Sequence, residues 1–304
     1  MPRQDSIENE NRFIAKTVAA GTMEITPKGA EKIDNFATIL PASSRVFITF
    51  LPGSDINDTI QTAIRLRKEG MIPIPHLAAR SIPNLQFLKT NLARLVKQAS
   101  VDTCLIIGGG VRDPVGEYHA SIEILETGLF QEYGFKHIFV AGHPEGSPDF
   151  PDNAHWQALS QKQKFMQHSH ITLEITTQFC FAAKPVIQYA KKLQKAGITM
   201  KLRVGIPGLA TIKTLMAHAV ACGVGPSMKV IKHQVTNLSK LLTVREPNKL
   251  VRDLCDEMMH NHQTAIDGFH LYPLGGFAKT AIWQKKIADG DFILDKTMGF
   301  LLKN

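Results

Sequence analysis

A carboxylate interrupts an apolar stretch at Glu24, in "MEITP", where Met23 and Ile25 flank it. Burying an ionised carboxylate among apolar neighbours is costly unless it is partnered or protonated. A glutamate kept protonated there is a candidate general acid; a solvent-facing strand tip is the plainer alternative. Other apolar runs end on polar residues too: Thr49, His76 with Arg80 behind it, His143-Pro144-Glu145, Thr177-Gln178, and His270 with Tyr272. One histidine at a strand end is more often a structural hydrogen-bonder than a catalyst, but a set of such ends suggests a wide ligand surface. "LIIGGGVRDPVGEY" adds Gly108, Gly109 and Gly110. Three glycines after a strand make either a tight turn or a floor on which a flat ligand lies against the backbone.

Metal and dinucleotide motifs are not indicated. His168 and His170 sit at a strand start, away from the polar ends, and His260 and His262 lie two apart on an expected helix, so they do not share a face. Cys104, Cys180, Cys222 and Cys255 form no CxxC pair and read as small core residues in a reducing compartment. Gly110 is followed three residues later by Asp113, so no GxGxxG fingerprint is present.

The elements that position these residues alternate regularly. Strands are expected at 21–26, 45–51, 71–78, 102–109, 136–143, 171–178, 200–208 and 267–274. The two prolines of "MIPIPHLA" predict an irregular third strand. Helical patterns fill the intervals: 27–40, 55–70, 81–99, much of 118–133, 156–167, 184–197 and about 211–264, with 279–290 closing the chain. Eight strand–helix units predict a single (β/α)8 barrel over 21–304, preceded by a polar N-terminal arm, 1–20. A doubly wound Rossmann sheet is the alternative. In a barrel, catalytic groups gather at the carboxyl ends of the strands.

The bulk composition suits a soluble enzyme. The chain has 304 residues, 44% hydrophobic and 20% charged, with a net charge of +8. Lys and Arg are dispersed and aromatics make up only 7%, which speaks against nucleic acid and for anionic small molecules. The opening "MPRQDSIENENRF" is polar and no apolar run approaches the ~20 residues of a membrane span, so the expectation is a cytoplasmic protein without a membrane partner.

Read in order, the strand ends resemble the methylenetetrahydrofolate reductase family over about Thr22 to Trp283. That family is a (β/α)8 barrel that holds FAD, takes hydride from NAD(P)H and reduces 5,10-methylenetetrahydrofolate to 5-methyltetrahydrofolate. "MEITP" places Glu24 at the family's general acid toward the folate N10. Thr49 matches a flavin-contacting Thr, and "HLAAR" places His76 at a His-Leu-Thr. "AGHPEG" keeps Pro144-Glu145, and "TTQFCF" keeps Thr177, Gln178, Phe179 and Phe181, where the family Gln binds the pterin. "VGIPG" keeps Gly205-Ile206, and "FHLYPLGG" keeps Phe269, His270, Tyr272 and Leu274.

The departures cluster at the flavin contacts. Gly108, Gly109 and Gly110 replace an Arg-Gly-Asp. His143 replaces a Tyr, Ser147 a His, and His119-Ala120 a Tyr-Ala; a basic helix is reduced to "LSQKQK", with Lys164 for its last Lys. Thr214 and His218 stand for a substrate-contacting Gln and Phe, and Gly275-Gly276 for a terminal Asn-Arg. The resemblance therefore implies Glu24 as the acid, in a proton-donor shell that includes His76. It implies Thr49, His76, Gly108, Gly109, Gly110, His119, Ala120, His143, Ser147 and Lys164 around the cofactor, and Gln178, Phe181, His218 and Tyr272 around the substrate. The function implied is a folate oxidoreductase of one-carbon metabolism using FAD and NAD(P)H, with self-association into a homo-oligomer allowed. Three alternatives stay open: a flavin-free enzyme, another folate-linked one-carbon enzyme, and a non-catalytic folate- or flavin-binding barrel. Arg112 or Asp113 could fold back to replace the missing strand-four charges.

Overall fold

The computed structural model describes residues 2–147, 150–221 and 241–303. Apolar runs become strands: β1 Thr22–Ile25, β2 Arg45–Ile48, β3 Ile72–Ala78, β4 Thr103–Ile107, β5 His137–Gly142, β6 Thr172–Phe179 and β7 Lys201–Pro207. β8 Ala210–Thr211 and β9 Val244–Arg245 form a small side ribbon, and β10 Ile266–Tyr272 follows. β1 to β7 and then β10 close into a barrel in chain order. Its β1–β2, β2–β3, β3–β4, β4–β5 and β7–β10 ladders are parallel. The chain is a (β/α)8 barrel, and the open doubly wound alternative is excluded because the sheet has no edges.

Local chemistry explains the elements. In β4, "TCLII", the first four residues are buried, as expected of a parallel strand covered on both faces. Helix α3, Ile56–Lys68, starts on the Asp55 cap, whose side chain accepts from the Asn57 N–H. The Asn84 side chain accepts from the Phe87 N–H to open α4, Leu85–Ala99. The prolines of β3 fit without breaking it. The Ile72 N–H donates to Ser44 O on the β2 side. By alternation, positions 73 and 75, which have no N–H to give, face β4, whose ladder with β3 begins only at His76–Leu105.

Several boundaries differ from expectation. The supposed polar arm is helix α1, Pro2–Ala19, with Ile14 and Val18 buried. Two apolar residues one turn apart are enough to seat a helix whose other faces are polar. The 27–40 pattern forms only α2, Pro27–Ala30, and a 3-10 turn, Phe36–Thr38. The 118–133 pattern splits into α5, Ser121–Leu125, and α6, Leu129–Glu132, at Gly128, which adopts φ 77°. Helices α7, Asp152–His168, and α8, Ala183–Lys195, match their patterns. The expected 211–264 helix is α9, Ile212–Ala221, then β9, then α10, Asn248–His260; the intervening part and Cys222 lie outside the described residues. Helix α11, Phe277–Ala288, does not close the chain, because a hairpin of β11, Phe292–Asp295, and β12, Gly299–Leu302, follows. No described helix is long and apolar enough to cross a membrane.

The chain divides into two compact units. One comprises Thr22–Ala141 and Trp156–Thr176. Its barrel-side core packs Phe47, Ile74, Leu105 and Phe139, with Ile107 against them. The other comprises Met1–Gly21, Gly142–His155 and Thr177–Asn304. There α1 packs on α10 and α11. An Arg252–Glu10 ion pair of 2.6 Å ties α10 to α1, and the Gln284 carboxamide donates to Val18 O and Gly21 O.

Candidate active site at the strand carboxyl ends

In the first unit, β1 and β3 bring Glu24 and His76 together. Oε2 of Glu24 lies 3.8 Å from Nε2 of His76, and the two side chains are 15% and 7% exposed. That separation exceeds a hydrogen bond but lies within ion-pair range. Phe47, on the intervening β2, meets the imidazole edge-on at 5.9 Å and 84° and packs on Phe139 at 4.9 Å. A carboxyl group and an imidazole thus share a largely buried floor, where charge interactions are stronger than in bulk solvent. Thr49 follows β2, half-buried, with its N–H donated to Ile25 O.

The three glycines end β4 beside them. Gly109 needs its φ of +97°, and a Cβ there would stand 3.1 Å from the Ala78 Cβ. The loop is cinched by Arg80, a residue the sequence marked only as following His76. The Arg80 N–H donates to Gly108 O at 2.9 Å, and its guanidinium donates to His119 O at 2.9 Å and Val111 O at 3.5 Å. Its carbonyl accepts from the Val115 N–H. His119 and Ala120 donate their backbone N–H groups to Glu123, which caps α5. Arg112 and Asp113 do not fold back: both are exposed and neither makes an ion pair among the described residues. Lys164 is also exposed on α7, while Lys162 of the same helix is 6% exposed and burial pulls its ammonium down to about 8.

These positions do not fit FAD held as the resembling family holds it. Gly108, Gly109 and Gly110 stand where that family has an Arg-Gly-Asp, and the adjoining Arg80 is committed to backbone carbonyls. His76 faces Glu24. No step below passes through a flavin.

In the second unit, β6 and β7 approach so closely that a Cβ at Gly205 would come within 2.6 Å of Thr177 O. Thr177 accepts from the Gly205 N–H through Oγ1 at 2.8 Å, and its carbonyl accepts from the Tyr272 hydroxyl at 2.8 Å. Gln178 is half-buried, and its Oε1 accepts from the Phe179 N–H. Phe179 meets Tyr272 at 5.5 Å and Phe181 at 5.6 Å, and Phe181 and Leu274 pack on the Ala210–Ile212–Leu215 cluster. His270 meets Tyr272 edge-on at 4.7 Å. His218 is half-buried on α9, and Thr214 is taken up by Thr211 at the start of that helix.

The loop after β5 holds a cluster with no sequence motif. His155 Nε2 lies 2.8 Å from the Tyr189 hydroxyl, and the His143 ring meets Phe150 at 5.1 Å and His155 at 5.6 Å. Ser147 bridges to Phe150. Burial pushes the Tyr189 hydroxyl up, against an opposing hydrogen bond from the His143 backbone. Burial, reinforced by Glu145, likewise pushes the Cys180 thiol up. No cluster of His, Cys, Asp and Glu suited to a metal occurs among the described residues.

No family model matches the chain. Among solved structures, D-psicose 3-epimerase in the presence of D-fructose shares 8% identity over 91% of this chain and 88% of its own, with a TM-score of 0.39. The tryptophan synthase A-subunit of Pyrococcus furiosus shares 10% over 89% and 91%, at 0.40. D-psicose 3-epimerase with D-tagatose from Clostridium cellulolyticum H10 shares 10% over 91% and 93%, at 0.33. Likenesses this distant carry no argument about what the chain acts on; the fold rests on its own strand order.

Proposed function

We propose that the protein is a folate oxidoreductase that interconverts 5,10-methylenetetrahydrofolate and 5-methyltetrahydrofolate with NAD(P)H as the hydride donor. The observation that carries this reading is the sheltered Glu24 at the carboxyl end of a barrel strand, with an imidazole at ion-pair distance. In the reducing direction the Glu24 carboxyl gives its proton to N10 of the folate. The C–N bond of the five-membered ring breaks, and its electron pair stays on N10. The iminium carbon so formed takes hydride from C4 of the nicotinamide, giving the methyl group and NAD(P)+. Solvent returns one proton to Glu24. The resemblance also gives Gln178, Phe181 and Tyr272 to the substrate.

Gly108 and Gly110 bring no charged side chain to the end of β4, and Arg80 is committed to backbone carbonyls, which favours direct hydride transfer over a flavin relay. The experiment is a spectrum of the purified protein with turnover assayed in both directions. A colourless protein that consumes NAD(P)H with methylenetetrahydrofolate is expected. Absorbance near 450 nm, the mark of oxidised flavin, overturns the direct route. No turnover in either direction overturns the reaction and favours a binding barrel.

A further inference from the structure

The resemblance gives His76 to the cofactor, whereas in the structure its Nε2 faces the carboxyl group of Glu24. We infer that His76 is a positioning residue for the acid: it directs its Nε2–H toward Glu24 and holds the carboxylate in place once the proton has gone to substrate. This rests on Glu24 being the proton donor. When Glu24 releases its proton, a negative charge forms on a side chain that is 15% exposed. So little water solvates it that a fixed donor nearby lowers the cost of forming it.

Three features fix the imidazole for that task. Alternation along β3 puts Ile74 and His76 on one face, the face that carries Phe47. Phe47 pairs in register with Glu24 on one side and with Ile74 on the other, so the acid and the imidazole flank one phenyl ring. Phe47 is fully buried and wedged against Phe139, so the ring that His76 leans on does not give way. His76 itself is 6% exposed, which leaves little room for another rotamer. The 3.8 Å separation is long for a hydrogen bond, and it closes when the carboxylate forms.

The test is a kinetic cycle on the full-length protein with His76→Leu, His76→Gln, Glu24→Gln and the double variant Glu24→Gln/His76→Leu. Loss of a donor to a charged group lowers kcat by roughly 10–100-fold in His76→Leu, with KM expected within about twofold of wild type. His76→Gln, whose Nε2 amide places an N–H near the imidazole Nε2, is expected to restore most of kcat. Adding His76→Leu to Glu24→Gln is expected to lower kcat no further, because the two side chains act as one unit. Wild-type kcat in His76→Leu, or the same fold loss in both backgrounds, overturns the inference and leaves His76 a packing residue. A wild-type protein without turnover overturns the proposed reaction instead. The pairing is then decided by nitrogen NMR of labelled histidines: the Nε2-protonated tautomer of His76 is expected in the wild type and lost in Glu24→Leu. A tautomer indifferent to that change also overturns it.

Discussion

Two carboxylate–imidazole pairs occupy the same unit at opposite ends of its strands. Glu24 and His76 stand toward the carboxyl ends of β1 and β3, while Glu174 and His137 stand near the amino ends of β6 and β5. Phe47 and Phe139 separate them, Phe47 against His76 and Phe139 against His137 at 4.5 Å. The lower pair closes to 3.2 Å, within hydrogen-bond reach, and its histidine is 31% exposed. The upper pair is more sheltered on the histidine side and stands at 3.8 Å. A closed pair with one partner in water is a brace. A sheltered carboxyl with an imidazole held just beyond contact is suited to give its proton to a substrate. The end of the barrel, rather than the residue types, separates the two roles, in keeping with the division of this fold into a reactive carboxyl face and a stabilising amino face.

The largest expected effect breaks the comparison at its upper end. Glu24→Gln removes the acid and keeps the shape; kcat is expected to fall by about 10²–10⁴-fold with the urea midpoint unchanged. Unfolding at lower urea with kcat intact would reverse the two roles. Next in size is a buried ionisable group in the same unit with no paired charge assigned to it, Lys162. Burial lowers its folded pKa from 10.5 to about 8. Between those values the unfolded chain holds a proton that the folded chain has released, so stability rises with pH across that window. Below it, both states carry the charge and the folded one bears the burial penalty. Lys162→Met is expected to add about 3 kcal/mol at pH 7 and to flatten the rise between about pH 8 and 10.5. Urea titrations at pH 7 and 10 check this, and an unaltered slope would mean that Lys162 does not carry the penalty. The smallest effect sharpens the comparison at its lower end. Glu174→Gln is expected to cost about 1–2 kcal/mol of stability, discounted for the exposed histidine. Its kcat should stay within twofold of wild type, and a larger loss would give the lower pair a part in the chemistry.

Much of the scaffold was legible residue by residue. The eight barrel strands follow from short apolar runs, and the Asp55 cap marks the start of α3. Helix α1 was missed because only one stripe of it is apolar, and the closing hairpin because its turn has three residues, Lys296 to Met298, with the positive-φ Gly299 after them rather than a two-residue Asn-Gly or Asp-Gly. Glu24 was legible as a carboxylate out of place. His76 was legible only as a member of a proton-donor shell; its direct pairing with Glu24 was not, because β2 lies between them in the chain and only the barrel register sets their side chains on one face. Arg80 was noted without a role because its acceptors are backbone carbonyls, which carry no sequence signature. His155 and Tyr189 went unmarked for a similar reason: their 2.8 Å contact joins two helices that no motif links.

By itself, then, the sequence determined the order of strands and helices and the polar residues that end the strands, because period, caps and breakers act within a few neighbouring residues. Tertiary structure decided which of those polar residues meet. It set Glu24 on His76, committed Arg80 to the glycine loop, and left Arg112 and Lys164 in solvent. In a closed barrel, register and packing choose a side chain's neighbours, and those contacts span distances along the chain that no local pattern encodes.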